Sequence, residues 1–177
     1  MDFRRSVHFE LHQHGSKLKT KTLKKKEESP PFLLLEISQK KTFWYNVYMH
    51  TKNEDELIAL GQELGSLLEK NDVLILTGEL GAGKTTLTKG LAKGLGIHQM
   101  IKSPTYTIVR EYEGRLPLYH LDVYRIEGDA DSIDLDEFLF GSGVTVIEWG
   151  HLLGEALPAD YLELEILKDG DGREVVF

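Results

Sequence analysis

The spacing of apolar residues predicts that regular structure begins near residue 51 with a helix. Thr51 or Asn53 can cap its start, and its first turn, residues 54–56, is acidic, which a helix N-terminus favours. Apolar residues then recur at helical spacing, at Leu57, Leu60, Leu64, Leu67 and Leu68. One face of this helix is therefore expected to pack on a core.

The next segment predicts a strand, a loop and a second helix. Residues 73–76 form a continuous apolar run, as in a buried strand. After a glycine-rich stretch, Leu87, Leu91 and Leu95 return to helical spacing, and glycines at 94 and 96 suit the end of a helix. The glycine-rich stretch is therefore expected to lie between a buried strand and a helix start.

The second half of the chain predicts further strands and tight turns. A loop with Ser103 and Pro104 is expected to lead into a strand of β-branched and aromatic residues ending at Val109. Other expected strands lie in residues 116–125, 144–149, 161–167 and 174–177, with turns at 113–115 and 169–172 and short helical pieces at 134–140 and 151–156. The prediction is a single α/β domain with a central mixed, largely parallel sheet flanked by helices.

Charge divides the chain into two parts. Residues 1–42 carry ten Lys or Arg against five Asp or Glu, whereas residues 43–177 carry eleven against twenty-four. We expect residues 1–48 to be a basic, disordered extension, or sequence upstream of a true start at Met49; a basic arm that contacts RNA or a partner is the alternative. Residues 49–177 are expected to form the domain, with a C-terminal piece missing after Phe177.

Composition excludes several classes of protein. The 177 residues include no cysteine, so disulfides and thiolate metal sites are excluded. No apolar run approaches the roughly 18 residues of a membrane span, and no secretory signal is present. We expect a cytoplasmic protein without a membrane partner. Its acidic body would bind nucleic acid poorly, so any work on RNA is expected to go through partners.

The glycine-rich stretch matches the full phosphate-binding pattern Gly78-x-x-x-x-Gly83-Lys84-Thr85. Glycines let the backbone N–H groups converge on an anion, and the following helix N-terminus adds partial positive charge. Lys84 is expected to reach the β- and γ-phosphates of a nucleotide, and the Thr85 hydroxyl to bind Mg²⁺. The candidate binding residues are Gly78, Leu80, Gly81, Ala82, Gly83, Lys84, Thr85 and Thr86.

Two acids at strand ends are candidates for the metal shell or for orienting a water molecule. Asp122 and Glu148 each follow apolar strand residues, and α/β sheets bind ligands at the carboxyl ends of their strands. Asp122 could instead form a structural pair with Arg125. Thr105 suits a switch loop over the nucleotide, or is simply the first residue of a strand. Trp149 could form a wall of the site or close the edge of the core.

Four motifs in this order and spacing resemble the TsaE (YjeE) family: residues 78–86, 102–107, 119–125 and 147–149. This family of small bacterial ATPases assists synthesis of N6-threonylcarbamoyladenosine at position 37 of tRNAs. The resemblance covers about residues 51–177. It implies a P-loop NTPase fold, slow hydrolysis of ATP with Mg²⁺, action with the TsaD–TsaB pair, and contact with tRNA through that complex.

The resemblance also implies roles for particular residues. Residues 80–86 would hold the phosphates, with Thr85 and Glu148 on Mg²⁺. Thr105 corresponds to the family's switch threonine, Asp122 to its important acid and Trp149 to its tryptophan beside the site. Residues 51–54 resemble the opening of the family's first helix, near the nucleotide. Residues 1–48 have no counterpart that we can place, and the resemblance leads us to expect a further family segment after Phe177.

Other functions remain open on the sequence alone. A small-molecule or nucleoside kinase uses the same loop but needs a lid with clustered arginines, and Arg110, Arg115, Arg125 and Arg173 do not cluster in sequence. A nucleotide-gated binding module that hydrolyses nothing by itself is a further alternative. ATP is favoured over GTP only because no guanine-binding motif is present. Which of Asp122 and Glu148 serves the metal and which the water is left open.

Overall fold

The computed structural model describes residues 48–125 and 135–177, together with the backbone of two short antiparallel strands, β1 (His12–Gln13) and β2 (Ser16–Lys17). The rest of the basic extension and the acidic residues 126–134 lie outside the described residues. The expectation for residues 1–48 therefore stays a prediction.

A seven-stranded sheet forms the centre of the fold, in the order β3-β9-β8-β4-β7-β6-β5. The four inner strands are parallel, and the outer pairings β3–β9, β8–β9 and β5–β6 are antiparallel. The strands are β3 (Tyr48–Thr51), β4 (Val73–Thr77), β5 (Val109–Tyr112), β6 (Leu118–Asp122), β7 (Val144–Glu148), β8 (Leu162–Asp169) and β9 (Gly172–Val176). This confirms the predicted mixed, largely parallel sheet.

Helices cover both faces of this sheet. Helices α1 (Glu54–Leu67) and α2 (Lys84–Gly94) pack on one face, over a core that includes Leu76 and Val146. The short helix α3 (Leu135–Leu139) and a 3-10 helix (Gly150–Ala156) lie against the other face. Strands β4 and β7 are buried on both sides, which explains why their sequences are largely apolar, whereas most residues of β8 are exposed and only Leu164 and Ile166 are buried.

Helix α1 follows the predicted pattern with one exception. The Asn53 side chain caps it by accepting a hydrogen bond from the backbone N–H of Glu56 at 2.9 Å. The leucines at 57, 60, 64 and 68 are buried, but Leu67 is 47% exposed, so its predicted place in the core is wrong. Leu67 is the last residue of α1.

Glycines allow α1 and α2 to approach closely. A methyl group at Gly61 would lie 2.4 Å from the carbonyl oxygen of Leu87, and one at Gly65 would lie 2.2 Å from that of Leu91. Both distances are far below van der Waals contact, so a larger residue would push the helices apart. The close contact fixes the axis of α2, whose first residues follow the phosphate-binding loop.

The strand predicted to end at Val109 is wrong in position. Residues 105–107 form a turn, and β5 begins only at Val109. The carbonyl oxygen of Pro104 accepts hydrogen bonds from the N–H groups of Thr107 and Ile108, and this turn takes precedence over β propensity. Ile108 has a φ of 65°, unusual for a β-branched residue, and so marks local backbone strain. The edge strand β3 was not predicted at all.

Candidate functional site

The phosphate-binding loop joins β4 to α2, as the sequence predicts. Its glycines at 78, 81 and 83 all have positive φ, of 132°, 76° and 116°, which side chains rarely adopt. A methyl group on Gly78 would also lie 2.3 Å from the carbonyl oxygen of Ile166 on β8. Ala82 is buried, and Leu80 is 83% exposed. The loop therefore has the backbone shape of an anion-binding nest at a helix N-terminus.

Lys84 is the first residue of α2, and its side chain folds back over this loop. Its Nζ donates hydrogen bonds to the carbonyl oxygens of Gly78 at 2.7 Å and Glu79 at 3.0 Å. It also lies 4.0 Å from the centroid of the Trp149 ring, a cation–π contact. Burial lowers the pKa of Lys84, while the carboxylates of Glu148, Asp122 and Glu79 act in the opposite direction. Lys84 as a whole is only 5% exposed, and its ammonium group lies among acids and carbonyls.

Thr85 and Glu148 meet directly behind the loop. The Thr85 hydroxyl donates to Glu148 Oε1 at 2.7 Å, and Glu148 is only 4% exposed at the end of β7. The same Oε1 lies 2.9 Å from Nε2 of His120, which is fully buried on β6. Because an ionised carboxylate only accepts, Nε2 is the donor in this contact, and the buried Nδ1 has no hydrogen-bond partner. His120 therefore orients the Glu148 carboxylate toward Thr85.

Asp122 lies beside Glu148 and binds the loop that contains Thr105. The two acids are opposite each other in the β6–β7 register. The Thr105 hydroxyl donates to Asp122 Oδ2 at 2.5 Å, and the N–H of Tyr124 donates to Oδ1 at 3.1 Å. The pairing of Asp122 with Arg125 is not observed, because the Arg125 guanidinium stacks 4.6 Å from the Tyr106 ring centroid. The alternative that Thr105 merely begins a strand is wrong, since Thr105 lies in a turn.

Trp149 directly follows β7 in a strained conformation. Its φ is 64°, in the left-handed region that costs a side chain about 1–2 kcal/mol. Its ring contacts Tyr124 at a centroid distance of 5.0 Å as well as the Lys84 ammonium group. It also packs against the core below α3. Both interpretations of Trp149, as a wall of the site and as an edge of the core, agree with this position.

The structure therefore brings most of the candidate residues together. Lys84, Thr85, Glu148 and Trp149 form one connected group, and Asp122 with Thr105 lies on the adjacent strand end. Thr86 differs, because its hydroxyl is directed to Glu54 Oε1 at 3.4 Å, near the start of α1. The roles assigned to these residues stay predictions.

Sequence reasoning missed His120 and two cations on the β8–β9 hairpin, Lys168 and Arg173. His120 could have been found, because it lies two residues before Asp122 on a strand and must share its face. Arg173 Nε donates to the carbonyl oxygen of Ala82 at 2.6 Å, and Lys168 Nζ donates to that of Leu80 at 3.2 Å. No local pattern marks either residue, since about 90 positions separate them from the loop.

The fold and this site define a class of protein: a P-loop NTPase fold, with a phosphate-binding loop at the carboxyl end of a central parallel strand. A sequence model of the family described as "Threonylcarbamoyl adenosine biosynthesis protein TsaE" matches residues 51–175. The chain belongs to the TsaE family.

Individual relatives agree with this assignment. The chain is 48% identical over 129 residues to the "tRNA threonylcarbamoyladenosine biosynthesis protein TsaE" of Bacillus subtilis, covering 72% of this chain and 82% of that protein. It is 48% identical over 130 residues to the protein of the same name from Treponema pallidum, covering 71% of this chain and 95% of that one. The crystal structure of Bacillus subtilis YdiB superposes with a TM-score of 0.67 at 43% identity, covering 75% of this chain and 84% of that chain.

Proposed function

We propose that the protein binds Mg-ATP at the phosphate loop and hydrolyses it slowly, and that it assists a TsaD–TsaB pair in forming N6-threonylcarbamoyladenosine at position 37 of tRNAs. The observation that carries the proposal is the contact of the Thr85 hydroxyl with the Glu148 carboxylate, 2.7 Å, beside Lys84 and behind the loop. P-loop enzymes use such a hydroxyl, lysine and acid around Mg²⁺ and the phosphates. Family membership supports the link to tRNA threonylcarbamoyladenosine biosynthesis.

The side chains present fit a magnesium ion. Mg²⁺ prefers oxygen ligands and is usually bound by one or two protein groups plus substrate phosphates and waters. The Thr85 hydroxyl and the Glu148 carboxylate supply such oxygens. Across residues 48–125 and 135–177, no group of three or more His, Cys, Asp or Glu could hold a metal by itself. We therefore expect phosphate oxygens to complete the ion's ligands, and the bound ion to neutralise charge on those phosphates.

The described contacts suggest how each residue acts in hydrolysis. Lys84 would exchange the carbonyl oxygens of Gly78 and Glu79 for the β- and γ-phosphate oxygens and neutralise their charge. Burial lowers the pKa of Lys84, and a bound phosphate would raise that pKa. Asp122, which holds Thr105 by a hydrogen bond, is our candidate for orienting the attacking water. Glu148 is our candidate for the metal side, because it contacts Thr85.

The arginines give no support to the kinase alternative. Arg115 binds the carbonyl oxygens of Gly65 and Leu68 at the end of α1, and Arg125 stacks on Tyr106. Arg173 binds the outside of the phosphate loop, and Arg110 Nε is buried without a hydrogen-bond partner. The arginine cluster that a kinase lid needs is thus not assembled in the described part of the chain.

The remaining features concern partners and location. In the described ranges, no helix is both long and apolar enough to cross a membrane. The acidic body would repel the phosphates of tRNA, so we propose that tRNA is reached through TsaD and TsaB. We propose the cytoplasm as the location, since tRNA modification takes place there.

The fate of the γ-phosphate separates the ATPase from a kinase. With [γ-³²P]ATP, Mg²⁺ and a library of small-molecule and nucleoside acceptors, we expect the label to appear only as inorganic phosphate, because the described residues do not assemble the arginine cluster that a kinase lid needs. Thin-layer chromatography of the products measures this directly. A labelled organic product that depends on the protein would overturn the ATPase assignment.

A further inference from the structure

The hairpin of β8 and β9 lies along the outside of the phosphate loop. Ile166 on β8 approaches Gly78 so closely that a methyl group there would lie 2.3 Å from its carbonyl oxygen. Lys168 and Arg173 are directly opposite each other in the hairpin register. Two like charges in such a cross-strand pair repel each other, so we expect nearby hydrogen-bond acceptors to offset the repulsion.

Both cations donate hydrogen bonds to backbone carbonyls of the loop. Arg173 Nε donates to the carbonyl oxygen of Ala82 at 2.6 Å, and its Nη2 lies 3.5 Å from that of Gly81. Lys168 Nζ donates to the carbonyl oxygen of Leu80 at 3.2 Å and forms an ion pair with Glu79 at 3.0 Å. Two cations are therefore directed at three consecutive carbonyl groups of the loop.

These contacts act on the direction of the loop's N–H groups. In a planar trans peptide, the carbonyl and the following N–H point in opposite directions. A carbonyl of Ala82 held outward by Arg173 turns the N–H of Gly83 inward, and a carbonyl of Leu80 held by Lys168 does the same for Gly81. Inward N–H groups are what bind an anion in such a nest. Without this restraint, Gly81 and Gly83 would have a wide choice of conformations.

Arg173 is the stronger of the two restraints. It bonds through a planar group with several donors, and its own position is fixed by β9. Its carbonyl oxygen accepts a hydrogen bond from Thr51 on β3, and its Nη1 donates to the carbonyl oxygen of Gly172 at 2.5 Å. Lys168 is 42% exposed and bonds at a longer distance.

We propose that Arg173 is a positioning residue for nucleotide binding: it holds the phosphate loop in its anion-binding conformation before a nucleotide arrives. The proposal rests on the nucleotide site proposed above. It makes the C-terminal hairpin part of the nucleotide site, although no residue of that hairpin belongs to the phosphate-binding motif. Its guanidinium charge also lies against the outside of the loop, where it favours a bound phosphate.

The test compares Arg173→Gln with a matched control, Arg115→Gln, in the full chain. Arg115 also donates to two backbone carbonyls, each at 2.8 Å, but at the far end of α1. We expect Arg173→Gln to raise the Kd for Mg-ADP by about 10-fold to 100-fold, the effect of losing charged hydrogen bonds, and Arg115→Gln to leave it unaltered. Arg173→Lys, which keeps the positive charge but has a single donor nitrogen, should raise the Kd by about threefold to tenfold.

Two further measurements keep folding effects apart from positioning. Melting temperatures measure the loss of stability that each substitution causes. We expect a lower melting temperature for both Arg173→Gln and Arg115→Gln. The backbone amide NMR signals of Gly81 and Gly83, without nucleotide, should shift or broaden in Arg173→Gln and not in Arg115→Gln. If Arg173→Gln does not fold, the Kd of Arg173→Lys for Mg-ADP serves as the test of the proposal.

An unaltered Kd for Mg-ADP in a folded Arg173 variant would overturn the proposal, even if its melting temperature fell. A raised Kd with the predicted glycine shifts supports it. No binding of Mg-ADP by the unsubstituted chain would be a different failure, because it would refute the nucleotide site itself.

Discussion

Lys84→Ala should abolish measurable nucleotide binding and leave the fold intact. Each charged hydrogen bond to a phosphate contributes about 1.5–3 kcal/mol, so losing the ammonium group should raise the Kd for Mg-ATP at least about 100-fold. The fold should tolerate the change, because the lost hydrogen bonds to Gly78 and Glu79 are offset by removal of a desolvated charge. Isothermal titration measures the affinity, and we expect the melting temperature to stay within about 5 °C of the unsubstituted protein.

Lys89→Ala is the matched control for this variant. Lys89 lies on the same helix and forms an exposed ion pair with Glu54 at 3.2 Å. Such surface pairs contribute little to stability, and Lys89 is not part of the loop motif. Its removal should leave the affinity for Mg-ATP unchanged. Equal affinities of Lys84→Ala and the unsubstituted protein would refute the site.

Asp122→Asn and Glu148→Gln should impair ATP hydrolysis in different ways. The difference shows which acid serves the metal ion and which one orients the water. Asp122→Asn should lower single-turnover hydrolysis of ATP by about 10²–10⁴-fold, the range for loss of a general base or water-orienting group, with little change in nucleotide affinity. Glu148→Gln should instead raise the Mg²⁺ concentration needed for half-maximal turnover by about 10–100-fold, because it weakens the group beside Thr85. Rates measured over a Mg²⁺ series separate these effects.

The melting temperature is the control measurement for both acid variants. Asp122 and Glu148 are each only 4% exposed and hydrogen-bonded, so their amide variants will lose some stability. If turnover and Mg²⁺ dependence remain normal while the melting temperature falls, these acids are structural. If Asp122→Asn alters the Mg²⁺ dependence and Glu148→Gln the rate at saturating Mg²⁺, our assignment of their roles is reversed.

The sequence predicts those parts of the site that follow from residues close together along the chain. The loop motif is continuous, and its flanking strand and helix follow from apolar spacing, so residues 78–86 could be located before the structure. Asp122 and Glu148 could be expected near each other because parallel strands end at one edge of the sheet. The β6–β7 register places them opposite each other.

The wrong and missing predictions concern contacts between distant residues, or within turns, that local sequence patterns do not reveal. The residues before β5 favour a strand by propensity, but hydrogen bonds to the carbonyl of Pro104 form a turn that brings Thr105 to Asp122. Arg173 is indistinguishable from any strand arginine until the hairpin folds against the loop. The four-residue strand β3 gains its stability from pairing with β9, which a short local pattern cannot show.

The most direct test of the central claim is the rate of ATP hydrolysis by the full chain, alone and with TsaD, TsaB and tRNA. We predict slow turnover by the chain alone and a clear increase when the pair and tRNA are present, with Lys84→Ala inactive in both settings. Absence of ATP binding and hydrolysis in both settings would contradict the proposed function.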